Sequence, residues 1–342
     1  MRSACTSGVL ALAMAGFMSP VLAQAQDVAD FYRAKPLELY IGYSVGGGYD
    51  LYGRLIARHL SRFMPGNPTL VPRNMEGAGS VRLTNWLYTA AARDGSVIGT
   101  ISRGVPFDPI LGRPGSQFEA TKFSWIGSAN DEVSICVTMA SSGVTDMAGL
   151  KAKEVVVGAA GAGSDDDQFP RVINAVLGTK MRVISGYPGG NDVTLALERG
   201  EVNGRCGWSW SSIKSSHANW VRDKKINIIA QLGLSKHPDL VGIPSIMEFG
   251  KTKEDEQILR LIFARQGLGR PFVGPPGIPA DRLAALRKAF DQTVKDPDFL
   301  ADAEKGKLEI NPLTGVQVEA LVAQVYAETA PETARKVAAM LP

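Results

Sequence analysis

One unit recurs along this chain and constrains it more than anything else: a short apolar or β-branched run, a glycine-rich turn, then a stretch with helical spacing of apolar residues. Residues 37–43 lead through Ser44-Val45-Gly46-Gly47-Gly48 to a helix with Leu51, Leu55, Ile56, Leu60 and Phe63 on one face. Residues 69–71 lead through Asn74-Met75-Glu76-Gly77-Ala78-Gly79-Ser80 to a helix carrying Leu83, Trp86, Leu87 and Ala90 inward. Residues 155–158 lead through Ala159-Ala160-Gly161-Ala162-Gly163-Ser164 to Phe169, Val172, Ile173 and Val176. Residues 182–184 lead through Gly186-Tyr187-Pro188-Gly189-Gly190 to Val193, Leu195, Ala196 and Leu197, ending at Gly200. Strands alternating with helices of this length require crossover connections, so the expected class is α/β, with mostly parallel sheets flanked by helices.

Two of these units fall before residue 125 and two after residue 150, and 125–139 runs between them with few breaks. That arrangement predicts two lobes joined by a hinge. The tail has amphipathic patterns at Leu283, Leu286, Phe290 and Val294 and at Val318, Leu321, Val322 and Val325, after a rigid turn segment at 271–279. A tail returning to the first lobe makes that lobe discontinuous: 26–130 plus 236–342, with 131–235 as the second lobe.

The first residues read as an export signal. Arg2 supplies the positive start, 8–17 is an apolar run, and Ala23-Gln24-Ala25 fits small-x-small cleavage before Gln26, making 1–25 a signal peptide and the location periplasmic. The apolar run is well short of the roughly 20 residues that span a bilayer. Apolar residues at 45% and charged residues at 21% place the rest among globular chains. A formal charge of +3, with no basic block, gives no reason to expect a nucleic-acid partner. Beyond the signal two cysteines remain, Cys136 and Cys206, and an oxidising compartment permits a disulfide between them without sequence alone placing them in reach.

In open α/β sheets ligands sit at the carboxyl ends of strands, where helix N-termini offer unpaired N–H groups to an anion. All four glycine turns occupy that position. Gly47, Gly48, Gly77, Gly79, Gly163, Gly189 and Gly190 are expected to let backbone amides approach a ligand, with Tyr43, Ser44, Ser80, Ala160, Ser164 and Tyr187 beside them. Asp50 opens a helix, and its default role is to accept backbone N–H bonds there. Arg103, next to Ser102, and Arg205 follow strand-like runs, where a guanidinium either clamps a ligand carboxylate or sits in a surface ion pair. Trp208 either lines the ligand or belongs to the core.

Other chemistries lack their signatures. Gly46-Gly47-Gly48-Tyr49-Asp50 has no Gly-Lys-Ser/Thr ending, and Gly161-Ala162-Gly163 lacks the third glycine of a dinucleotide site, so no cofactor is expected. Asp165-Asp166-Asp167 has none of the spacing of a calcium loop and reads as acidic stabilisation of a helix start. His59, His217 and His237 fit no zinc spacing, so no metal is expected. Ser209 and Ser211 sit in no nucleophile elbow, which disfavours a secreted serine hydrolase.

The turns together resemble those of the substrate-binding receptors of tripartite tricarboxylate transporters, also called Bug-type periplasmic receptors. The resemblance rests on Ile41-Gly42-Tyr43-Ser44-Val45-Gly46-Gly47-Gly48-Tyr49-Asp50, on Asn74-Met75-Glu76-Gly77-Ala78-Gly79-Ser80, on 158–164, on Tyr187-Pro188-Gly189-Gly190, on Gly200-Glu201-Val202-Asn203-Gly204 and on Pro275-Pro276-Gly277-Ile278-Pro279, in that order along nearly the whole chain after 25. It implies a two-lobed, type II-like periplasmic-binding-protein fold that acts as a monomer. Such a receptor closes on a small organic acid, largely through amides, hydroxyls and water, and delivers it to integral-membrane transporter subunits. A receptor that feeds a signalling system is the alternative within the same fold. This chain departs from the family pattern at Val45 and Glu76, where the family carries proline, and in the arginine and tryptophan of 102–106 and 205–210.

Overall fold

The computed structural model describes residues 28–341. The signal-peptide reading of 1–25 falls outside the described residues. Eleven strands form two sheets: β1 Leu37–Ile41, β2 Leu70–Asn74, β3 Val97–Thr100, β4 Ser124–Ser128, β5 Ser134–Met139, β6 Val155–Ala159, β7 Met181–Ser185, β8 Gly204–Ser209, β9 Ile226–Leu232, β10 Pro271–Gly274 and β11 Leu313–Thr314.

The first sheet has the order β11-β4-β10-β3-β1-β2, the second β7-β6-β8-β5-β9. In each, three strands run parallel, β2-β1-β3 and β7-β6-β8. The remaining partners are antiparallel, so the sheets are mixed where mostly parallel ones are expected from the repeating unit. The cause is the chain's path between lobes. β4 is followed at once by β5 in the other sheet, and β10 returns from the second lobe to enter the first between β3 and β4. The segment 271–279, expected to be a rigid turn, therefore contains a central strand. Pro271 opens it, which is where a residue without an N–H costs least.

Side-chain alternation gives each sheet two buried faces. Ile98, Ile126 and Phe272 pack under the helices Gly48–Leu60 and Ala280–Thr293, while Val97, Trp125 and Val273 pack under Val81–Thr89 and Gly315–Glu328. In the second sheet Ile135, Val137 and Trp208 face the helices Gly190–Glu198 and Trp210–Ser216, and Cys136, Val155 and Cys206 face Asp165–Leu177. Cys136 and Cys206 are register partners on β5 and β8, Cα atoms 3.8 Å apart, and form a disulfide. The helices Lys253–Ala264 and Pro331–Met340 also pack on the second sheet, through Ile258, Leu259, Ile262, Phe263 and Val337. By packing, the second lobe thus extends beyond residue 235 and takes back the C-terminal helix, whose apolar stripe alone does not say which lobe it covers.

Two crossing segments, 129–133 and 265–270, run side by side between the lobes. Ala129 N donates to Arg270 O at 3.0 Å, Arg270 N to Asn130 O at 3.1 Å and Glu132 N to Gln266 O at 3.0 Å. Gly269 has φ +44°, and a Cβ there would collide with the Asn130 carbonyl.

Candidate functional site

The carboxyl ends of β1 and β3 face those of β6 and β8 across a cavity of about 70 Å³. One water needs roughly 10–15 Å³ of such space. The cavity therefore holds several waters or a compact ligand.

Its walls include the turns 46–48 and the start of the helix Gly48–Leu60 from the first lobe, and Gly190 and Asn191 at the start of Gly190–Glu198 from the second. Leu51 N and Val193 N are the first amides of these helices to return to a preceding turn, at Gly47 O and Gly189 O. The amides ahead of them present their N–H groups and a partial positive charge to the cleft. Gly46, at φ +87°, makes the turn, while Gly47 is extended at φ −80°. A Cβ on Gly47 would find its nearest neighbour at 3.5 Å, and the left-handed position of this turn is Gly46.

Of the residues expected in the site, Tyr43, Gly47, Gly48, Ser102, Arg103, Ala160, Ser164, Gly190, Arg205 and Trp208 line the cavity. Gly77, Gly79, Ser80, Gly163, Ser44, Tyr187, Gly189 and Asp50 do not. Most of these serve closure or loop shape instead. Gly163 N donates to Ala78 O at 3.1 Å, and Ser102 Oγ to Gly163 O at 3.0 Å. Ser44 Oγ donates to Asp192 Oδ2 at 2.6 Å, and Asn191 Nδ2 to Val45 O at 2.8 Å. Asp50 is the third residue of its helix, whose N-cap is Gly47, so it is not the N-cap its position suggested; it accepts from Gly46 N at 2.9 Å and pairs with Arg54, and Tyr187 reaches outward towards Glu201.

The two arginines are neither ligand-facing clamps with free donors nor surface pairs. Arg103 is buried and bonds Asp165 Oδ2 through Nε at 2.6 Å, Gly269 O through Nη1 at 3.3 Å, and Ser134 and Ser209 Oγ through Nη2, both at 3.0 Å. Arg205 gives Nε to Asp166 Oδ2 at 3.1 Å and Nη1 to Gly190 O at 2.9 Å, and lies 5.0 Å from the Trp208 ring centre. The aspartates read as helix-start residues do occupy the first turn of Asp165–Leu177, yet their carboxylates are spent on these guanidiniums, and Asp167 on Arg171 at 3.0 Å. Trp208 is 3% exposed within the core cluster, as the core reading expects, and also borders the cavity.

Sequence reasoning missed Tyr49, Asp165, Asp166, Ser212, His217 and Arg270 as wall residues. Tyr49 stacks on Tyr43 at 4.7 Å, and Arg270 covers its ring with the guanidinium carbon 4.8 Å from the centre. The aromatic pair within the glycine turn, Tyr43 and Tyr49, was the available signal. Arg270 had none, because its neighbours read as a turn. Burial pushes the Tyr43 hydroxyl well above its ordinary value and keeps it neutral. Burial, then the nearby Arg205 charge, lowers the His217 pKa, and its Nδ1 is buried without a hydrogen-bond partner.

The serines considered as nucleophiles are engaged elsewhere: Ser209 accepts from Arg103, and Ser211 Oγ donates to Glu132. Away from the cavity, His237, Asp239 and Glu309 bring ligand-type atoms within 4.8 Å of one another. The Lys214 ammonium already pairs with both carboxylates there, at 2.7 Å from Asp239, so the protein supplies the cation itself.

In a comparison with solved structures, the periplasmic binding protein BugD superposes with a TM-score of 0.71 at 20% identity, over 90% of this chain and 98% of that one. The fold is that of the Bug-type periplasmic binding proteins. MatC from Rhodopseudomonas palustris, solved with bound malate, has a TM-score of 0.70 at 16% identity over 89% of this chain and 99% of its own. R. palustris Rpa4515, solved with adipate, gives 0.69 at 18% identity over 89% and 97%. In sequence, a UPF0065 protein of Agrobacterium vitis from the TAR-I ttuE-ttuC' intergenic region is 25% identical over 304 residues, 86% of this chain and 81% of its own. A second UPF0065 protein, from the gbd 5' region of Cupriavidus necator, is 33% identical over 99 residues, 29% of each chain. No protein-family model matches the chain. Within the Bug-type frame, the cavity described above is the space between the two lobes.

Proposed function

We propose that this chain is a periplasmic receptor that captures a small carboxylate-bearing molecule between its lobes and delivers it to a tripartite tricarboxylate-type membrane transporter. One observation carries the reading: a small cavity, lined from both lobes, onto which two helix N-termini direct unpaired amides. That arrangement favours a compact anion over a cation or an extended chain. Relatives in fold hold malate and adipate, acids of suitable charge. Delivery fits closure, since a receptor that encloses its cargo presents a surface that differs between loaded and empty states.

Native mass spectrometry on protein exported and purified without refolding tests this. The expected spectrum shows a one-to-one adduct with the mass of a small organic acid. A chain that retains nothing and takes up neither malate nor adipate would contradict the reading.

A further inference from the structure

We infer that Arg270, at the hinge, is the cation that anchors the acid group of the ligand. This rests on the small-acid reading above. Arg103 and Arg205 have their nitrogens committed to protein acceptors, as described. Arg270 does not. Its side-chain hydrogen bonds all leave from Nη2, to Glu132 Oε2 at 3.0 Å, Ser211 Oγ at 2.9 Å and Ser212 Oγ at 3.1 Å. Nε is buried with no partner, and Nη1 makes no hydrogen bond. Yet the residue is only 1% exposed and lies on the cavity wall. Guanidinium donors left unpaired at such burial are costly, and a bound anion removes that cost.

The position fits as well. The guanidinium is held between the Tyr49 and Tyr52 rings, 4.8 and 5.0 Å from their centres, which fixes its plane. A Cβ added to Gly48 would stand 3.1 Å from Nη2, so the first-turn amides of the 13-residue helix Gly48–Leu60 and this guanidinium border the same corner. Amides and a planar cation that border one corner of the cavity suit a carboxylate. Glu132 holds back part of the positive charge, which makes it a counterweight to ligand binding.

The test is calorimetric titration of malate and of adipate into the wild-type chain, Arg270→Gln, Glu132→Gln and the double variant, each checked by circular dichroism and thermal melting. Arg270→Gln leaves Glu132 buried without its partner and risks misfolding; the double variant removes both charges and guards against that. For whichever acid binds the wild type, the double variant is expected to bind at least tenfold more weakly. Glu132→Gln is expected to bind as tightly as wild type or tighter. A double variant within threefold of wild type, or a Glu132→Gln loss as large as that of the double variant, would overturn the assignment while leaving the receptor reading intact. A wild type that binds neither acid would remove the receptor reading and the role of Arg270 together.

Discussion

Arg103 belongs to the first lobe and Asp165 to the second, and each is the other's main counter-charge, 2.6 Å apart with both side chains buried. Removing one member of such a pair strands the other, typically at about 3–5 kcal/mol, whereas replacing both with apolar groups of similar volume costs far less. Arg103→Ala is therefore expected to lower urea stability by that amount, and Arg103→Met with Asp165→Leu to recover most of it. Equal losses in the single and double variants would show that the pair is not coupled. The pairing was not legible in the sequence. Arginine after a strand and aspartate after a glycine turn were both visible, but the two lie 62 residues apart, and no local pattern ties them. Asp50, by contrast, acts within its own turn, and its place at a helix start was readable from position alone.

A second buried acid, Asp108, sets a pH dependence. It accepts from Gln168 Nε2 of the opposite lobe at 3.0 Å, and burial raises its pKa from an ordinary 3.8 to about 6. An acid raised on folding binds more protons in the folded state, so its favourable contribution is complete below pH 3.8 and is lost as pH rises through about 6. Asp108→Asn, which stays neutral, is expected to be more stable than wild type at pH 8 by about 1–3 kcal/mol, with the difference vanishing below pH 4. Denaturant midpoints across pH 3.5–8 check this, and a constant difference over the range would refute it.

Among the elements, the four strand–turn–helix units were legible because hydrophobic periodicity and glycine punctuation are local signals. The partners of each strand were not, since pairing of β10 between β3 and β4 depends on the return of the chain from the other lobe. The turns divide by task in a way their glycine content does not disclose. The turn at 46–48 faces the cavity, while 77–80 and 161–163 seal one lobe against the other. A Cβ on Gly163 would approach Val81 Cγ2 at 2.7 Å and Gly79 O at 2.9 Å. Gly163→Val is accordingly expected to hold the lobes apart and weaken binding at least tenfold with both lobes folded, whereas Gly47→Ala should bind within a few fold of wild type. Titration calorimetry on the two variants distinguishes them, and the reverse order would contradict this division of tasks.

For the molecule as a whole, polar contacts such as Arg103–Asp165 and Gln168–Asp108 join the lobes, and the chain crosses between them at 129–133, at 265–270 and between the helices Gly315–Glu328 and Pro331–Met340. Such an interface opens at modest cost, which suits a hinge whose closed form is favoured by ligand. Small-angle scattering is expected to show a larger radius of gyration without ligand than at saturation. The measurement closest to the central claim is a calorimetric comparison of malate and adipate with their diamides, which match them in size but carry no charge. The account predicts one-to-one binding of at least one of the two acids, with its diamide at least tenfold weaker; an acid and diamide that bind alike, or a chain that binds neither acid, would contradict it.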